Sequence, residues 1–554
     1  MSSKKKKTTN NFLVQGSVLA VAGIISRVIG VAYRIPLLNI MTLKGQGFYT
    51  VAFDIYQIAL LLTSYSLPLA VSKMVSARIA KGERKNAYRA FKAALLFALI
   101  VGLITTLIVF FGADFIATHV MSQSLSAYAL RVLSPCLVIV ALMGVMRGYF
   151  QGLGTMMPTA VTQILEQIVN AVVSLIGAKM LLEYGRQQAE AQGNELLGAA
   201  YSAAGGTIGT LAGALIGLIF LVFVFYSYKG RLKRQLYSDQ AAHQESYRMI
   251  IKVMLLTIAP VILSTGVYNL QSIVDNAIFN KIMSIQGLTQ GEYSELSGRM
   301  SQYNTLLSVP LAIANALAAS LIPTLVAAVQ SGERRKIHQK IYTVIRFTMI
   351  IAIPSAVGFF ILARPINDLF FHVDNGVQAM LMRIGAISVV LFCLSTVSNA
   401  ILQGLNRMMA PVKNAAISLV IHLIVLIIVL VVFKWNVYGV ILSKTVFALS
   451  MCIMNAHVIR ETCGYIQEQK RTFVIPGIAA VIMGVVTFIA YLLLDVTIGG
   501  YAATIIAVLI AVVVYGISLL MLGGITEDEV LAMPKGATIA RLLKRMHLLK
   551  EEYY

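Results

Sequence analysis

Residues Gln151-Gly152-Leu153-Gly154-Thr155-Met156-Met157-Pro158 return 252 positions later as Gln403-Gly404-Leu405-Asn406-Arg407-Met408-Met409, followed by Ala410 and Pro411. Each copy ends one apolar run and precedes the next. Two further echoes keep the order. Ser66-Leu67-Pro68-Leu69-Ala70 reappears as Ser308-Val309-Pro310-Leu311-Ala312, and Lys81-Gly82-Glu83-Arg84-Lys85 as Ser331-Gly332-Glu333-Arg334-Arg335-Lys336. One short match could be chance; three in sequence describe a chain built from two related halves.

The composition says what those halves are made of. Of 554 residues 58% are apolar and 12% charged, half the charge of an average soluble domain at about 25%. Mean hydropathy is +0.81. A chain this apolar is neither a soluble enzyme, nor disordered, nor a nucleic-acid-binding domain, although its formal charge is +22. Lys and Arg in the cytoplasmic loops of a membrane protein account for that excess.

A helix needs roughly 20 apolar residues to cross a bilayer, and fourteen stretches qualify. They run approximately 12–38, 47–74, 91–112, 126–148, 158–182, 197–228 and 250–281, then 301–329, 341–363, 378–403, 411–433, 437–459, 473–494 and 500–523. With the N-terminus inside, the cytoplasmic segments carry 32 Lys/Arg and the outer loops 7. A missed helix would reverse that bias downstream, and no reversal occurs. Both termini are therefore expected in the cytoplasm, and the first helix, behind Lys4 to Lys7 and without an A-x-A site, is expected to stay in place.

The expected fold class is all-α integral membrane, with fourteen transmembrane helices. There are two parallel-repeat six-helix lobes (helices 1–6 and 7–12), plus helices 13–14 outside the repeat. Residues 1–228 form the N-lobe, 229–248 a cytoplasmic linker, 249–460 the C-lobe, 461–524 helices 13–14, and 525–554 a tail. From Thr526 that tail reads as a helix lying on anionic lipid. Parallel repeats related by an axis along the membrane normal build two-lobed alternating-access transporters, with substrate held between lobes.

Charges inside the spans locate the site. Arg27, Arg34, Lys73, Arg131, Arg383 and Lys444 are the embedded cations; Asp54, Glu166 and Asp275 are the embedded acids. An ionised side chain in hydrocarbon costs at least about 2.5–3.5 kcal/mol, so each faces a cavity or a partner. Snorkelling or pairing suits Lys73 and Arg131, near helix ends, better than Arg27 in mid-span. Three acids neutralise at most three of six cations, leaving embedded positive charge. Arg131 and Arg383 differ by the repeat offset of 252, so they occupy equivalent places in the two halves. Arg binds phosphate bidentately, and a phosphate- or pyrophosphate-bearing substrate is the inference. Gln163, Glu166, Gln167 and Asn170 share one face of helix 5, either lining the cavity or joining helices. His422 reads as structural. Cys136, Cys393, Cys452 and Cys463 form no CxxC pair and read as small core residues. No metal site and no catalytic constellation is expected.

Ser26-Arg27-Val28-Ile29-Gly30, the Pro68 segment with Ser72-Lys73, the Gly-Glu-Arg loops and the two Gln-Gly-Leu turns resemble the MOP flippase superfamily. The branch is that of stage V sporulation protein B and MurJ-type lipid II flippases, often labelled polysaccharide biosynthesis proteins. The resemblance covers nearly the whole chain, including helices 13 and 14. It implies a central cavity, lined by helix 1 cations and nearby acids, for a pyrophosphate-sugar head group. Arg27 matches the first cation. Tyr33 stands in the register of the second, with Arg34 one residue later. Asp54 lies near a family acid, and helices 13 and 14 would form a groove for the lipid tail.

The expected function is a flippase, not an enzyme. It would move an undecaprenyl-pyrophosphate-linked saccharide, with lipid II as first candidate, across the bacterial cytoplasmic membrane by alternating access. The rivals are an O-antigen or capsule-type flippase, a MATE-like exporter, and a membrane enzyme acting on lipid-linked sugars. The expected substrate-binding residues are Arg27, Arg34, Asp54, Arg131, Glu166, Asp275 and Arg383. No cofactor is expected beyond coupling to Na⁺, H⁺ or the membrane potential. The partners are the lipid-linked oligosaccharide and membrane lipids, without nucleic acid, and the chain is expected to be monomeric.

Overall fold

A computed structural model describes residues 2–525 except 65, 238, 240–243 and 372–375. The tail from Thr526, expected to lie on lipid, is outside the described residues. In hydrocarbon each backbone N–H and C=O must be satisfied within its own segment, which leaves helices as the economical solution for apolar runs of this length.

The first compact unit, Met1–Gln302, contains α1 (Ser2–Ile40), α2 (Leu43–Thr63), α3 (Leu67–Ala80), α4 (Arg84–Phe111), α5 (Ala113–Phe115), α6 (Ser126–Gly152), α7 (Met157–Gln192), α8 (Leu196–Tyr237) and α9 (Tyr247–Ile285). The tenth helix, α10 (Gln290–Gln330), begins here and continues into the second unit, Tyr303–Tyr554. That unit adds α11 (Arg334–Ile361), α12 (Ala363–Phe371), α13 (Gly376–Gly404), α14 (Met409–Val431), α15 (Asn436–Cys463), α16 (Ile475–Ile498) and α17 (Gly500–Met521).

Thirteen stretches of the described residues are long and apolar enough to span a bilayer. The remaining expected span, 250–281, coincides with α9, some of whose side chains fall outside the described residues. The second expected span is broken: Pro68, in the first turn of α3, cannot donate to the turn before it. Its echo Pro310 instead lies inside the continuous α10.

The sequence repeat is also a structural repeat. Helices α4 and α11 are each 28 residues long and start 250 residues apart, at Arg84 and Arg334. The turns before α7 and α14 each hold a left-handed residue, Gly154 at φ +85° and Asn406 at φ +60°. Asn is the side chain that tolerates this region best after glycine, which is why the motif survives there as Leu-Asn rather than Leu-Gly.

Packing in the first unit is by large side chains against small ones. Phe48, Leu130, Leu133 and Leu137 are fully buried among Ala52, Ala127, Ala129 and Ala203. Helices α7 and α8 meet backbone to backbone at Gly177 and Gly205, as small residues permit in membranes. In the second unit α16 packs on α17 and on α11. Tyr515 donates to the Ile350 carbonyl (2.9 Å) and the buried Arg346 to the Gly524 carbonyl, tying α17 to α11. Outward faces are apolar, for instance Ile417, Val420 and Ile424 of α14, the surface that lipid wets.

Candidate functional site

Helix α1 packs on α7 along a polar seam. The Asn170 amide donates to the Tyr33 hydroxyl at 3.0 Å, and Ser174 donates to Asn170 (2.9 Å) and to the Gly206 carbonyl (2.7 Å). Gly30 faces the same seam, with Gln167 Oε1 3.7 Å from where a Cβ would stand. Asn170 therefore joins α1, α7 and α8, a contact worth roughly 0.6 kcal/mol per hydrogen bond in membranes.

Arg27 and Arg34 stand beside that seam. Seven residues apart, they fall within about 20° of each other around the helix and about 10 Å apart along it. Arg27 is exposed. Arg34 is half-buried beside Tyr33 and Tyr49, and its Nε is buried without a hydrogen-bond partner. Among the described residues neither guanidinium has a hydrogen-bond or ion-pair partner.

The acids, by contrast, are engaged. Glu166 accepts from Arg147 at 2.6 Å, and Arg147 also donates to Thr162 at 3.1 Å. Arg147 lies within α6. Asp54, 6% exposed on α2, accepts from Ser272 (3.1 Å) and from Asn276 of α9. Asp275, the neighbouring residue on α9, is buried. Arg131 pairs with Asp114, and both are partly exposed. Arg383 is exposed on α13 in the second unit. Of the seven expected site residues, the first unit thus places Arg27 and Arg34 on one face of α1. Asp54 and Asp275 lie on the packed α2 and α9, while Glu166 and Arg131 each have a separate ion-pair partner.

Two features were not read from the sequence. The first is a polar stripe on α9: Gln271, Asn276 and Asn280 are buried alongside Asp275, and their four- and five-residue spacing carried the signal. The second is a polar seal at one end of the unit. Asn280 accepts from Gln123 (3.2 Å) and from Ser297 (3.4 Å), and donates to the Met121 carbonyl (3.0 Å). Tyr293 donates to the Ser122 carbonyl. Beside it α2 and α10 touch through bare backbone: a Cβ on Gly47 would stand 2.1 Å from the Ser294 carbonyl oxygen, and one on Gly298 2.1 Å from that of Leu43.

The remaining expectations are placed as follows. Cys136, Cys393 and Cys452 are buried free thiols and Cys463 is half-buried. His422 is fully buried, edge-on to Phe447. Among the described residues no group of three or more His, Cys, Asp or Glu could hold a metal ion.

A repeated helical fold with thirteen candidate spans among the described residues defines a multi-pass membrane protein. The chain belongs to the polysaccharide biosynthesis protein family, whose profile matches residues 12–329. It is 27% identical over 490 residues to the lipid II flippase MurJ of Bacillus subtilis, covering 85% of this chain and 87% of that protein. Stage V sporulation protein B of the same organism is 25% identical over 413 residues, covering 74% of this chain and 75% of its own length. Among solved structures, a lipid II flippase MurJ in an inward closed conformation superposes with a TM-score of 0.65. It shares 14% identity, over 90% of this chain and 97% of its own. The resemblance drawn from the motifs is met in both family and fold.

Proposed function

We propose that the chain is a flippase moving a pyrophosphate-linked saccharide lipid across the bacterial cytoplasmic membrane by alternating access, with lipid II as first candidate. The observation that carries this reading is the pair Arg27 and Arg34: embedded cations without partners among the described residues, on a helix whose neighbouring acids are already engaged. Two guanidinium forks about 10 Å apart along the helix suit a multiply charged head group, since each can hold phosphate oxygens bidentately. The name of the lipid II flippase MurJ, a relative in both sequence and fold, points the same way.

In this reading the two lobes are residues 1–228 and 249–460, both termini face the cytoplasm, and the chain works as a monomer. The membrane potential, Na⁺ or protons supply the driving force, with Asp54 as the acid through which a cation or proton would act. Arg131, Glu166, Asp275 and Arg383 complete the expected set of substrate contacts.

The test is transport of a fluorescent lipid II analogue in proteoliposomes. Truncating one partner of a charge-assisted pair costs about 2–5 kcal/mol, so Arg27→Ala should weaken substrate binding between about thirty- and several-thousand-fold while leaving the protein folded. Arg27→Lys should restore only part, because a point charge lacks the fork. Restoration of Arg27→Ala by neutralising Asp54 or Asp275 would make Arg27 structural and overturn the reading. A normal rate with another pyrophosphate-linked glycan, and none with lipid II, would move the assignment to a capsule-type flippase.

A further inference from the structure

A cavity of about 510 Å³ opens where the α13–α14 turn meets the last turns of α15, bordered by Asn406, Arg407, Met408, Met409, Lys413 and Glu461. Its size is within the roughly 300–1,000 Å³ usual for small-molecule sites. Two of its residues are cations, and neither Arg407 nor Lys413 has an acidic partner among the described residues. The one carboxylate, Glu461, is taken by His457 at 3.1 Å.

The internal repeat shows that these cations are not required by the fold. The corresponding turn before α7 adopts the same left-handed geometry with Gly154 and Thr155 where the second copy has Asn406 and Arg407. Lys413, two residues past Pro411, corresponds to Ala160, two past Pro158. The same scaffold therefore stands without either charge, so both cations are an addition specific to the second half.

What lies beneath Lys413 identifies the occupant. On α14 the positions 417, 420 and 424 follow it at helical spacing on one face. They are Ile417, Val420 and Ile424, exposed by 53%, 57% and 55%. Met408 and Met409 at the rim are 65% and 60% exposed. A cation heading an outward apolar stripe is placed where an acyl-chain region gives way to head groups, and basic pockets at that depth take phosphate-bearing lipids. From this geometry we infer that the cavity binds an anionic phospholipid, with its phosphodiester on Arg407 and Lys413. The Asn406 amide suits a hydroxyl on the head group, as in phosphatidylglycerol. The inference rests on the membrane-spanning fold alone and is independent of the transported substrate.

The experiment is native mass spectrometry of the whole protein in detergent, titrated separately with phosphatidylglycerol, phosphatidylcholine and inorganic phosphate. Phosphatidylglycerol should be retained more tightly than phosphatidylcholine. Arg407→Ala with Lys413→Ala should weaken it at least about tenfold, at about a kcal/mol for each cation near the surface. The pair Arg335→Ala with Lys340→Ala removes two exposed charges from α11 and should leave binding unchanged. Arg407→Lys with Lys413→Arg, which keeps the charge, serves as the folding control and should retain most of the affinity. Equal retention of the two lipids, or equal loss from both alanine pairs, would overturn the site. Displacement of phosphatidylglycerol by millimolar inorganic phosphate would make it a soluble-anion site and overturn the lipid assignment.

Discussion

Arg147 of α6 donates to Glu166 of α7 at 2.6 Å, while the residue 252 positions later, Asn399, accepts from Asn455 at 2.8 Å in an uncharged cluster with Asn414 and Ser398. One place in the repeated fold is thus ionic in the first half and neutral in the second. An ion pair this poorly solvated is costly to break singly. Arg147→Ala should lower stability by about 2–3 kcal/mol, below the full buried-pair penalty because both side chains keep some exposure. Arg147→Met with Glu166→Met should recover most of it. Thermal unfolding in detergent reads both; an additive double variant would mean the pair is not coupled.

The contact of α2 with α10 leaves no room for a side chain. Gly298→Leu should force the two apart, because its Cβ alone would overlap the Leu43 carbonyl. A cysteine at Ser297, 1% exposed in the parent, should then react with an impermeant maleimide. Continued protection of that cysteine would show that the seal does not depend on the glycine.

Membrane orientation can be read along a single helix. Gly193, just before α8, and Gly230, near its far end, are both exposed. About 50 Å of helix separates them at 1.5 Å per residue, more than the roughly 30 Å hydrocarbon core. A cysteine at Gly193 should label from outside the cell and one at Gly230 only after permeabilisation. The reverse pattern would invert the whole topology.

Glu468 caps the turn that leads into α16, accepting from the N–H groups of Arg471 (2.8 Å) and Thr472 (3.0 Å) and from the Thr472 hydroxyl (3.1 Å). Partial burial pushes its carboxyl up, but these hydrogen bonds together outweigh that and hold it below the usual range. A depressed acid stabilises the fold above its unfolded pKa, and that contribution fades as pH falls through the folded value. Glu468→Ala should cost about 1 kcal/mol at neutral pH, as for other caps. The difference from the parent should narrow in acid; a constant difference from pH 7 to pH 3 would exclude the carboxylate as its source.

Much of this architecture was legible because a bilayer enforces simple rules. Length, apolarity and the Lys/Arg bias gave the spans, and the Gln-Gly-Leu turns gave the repeat; the left-handed residue in each copy came only from the structure. Side-chain reach was harder to read. Arg147, near the end of α6, reaches Glu166, and Arg346, in the middle of α11, reaches the Gly524 carbonyl; composition does not reveal which acceptor a cation finds. Arg131 reads as half of an embedded pair by offset alone, yet its local neighbour Asp114 claims it. The α9 stripe was hidden because amides carry no charge to stand out in an apolar run.

The seal at Gly47, Ser294, Gly298 and Asn280 has one more property. Its surfaces are peptide carbonyls, hydroxyls and amides rather than oily side chains. Parting them exchanges one set of hydrogen bonds for another with water, each worth only about 0.5–1.5 kcal/mol net, and lays bare little apolar area. A joint of this kind, if parted, would bare groups that water can satisfy rather than a sticky face turned to the lipid or to another copy of the chain.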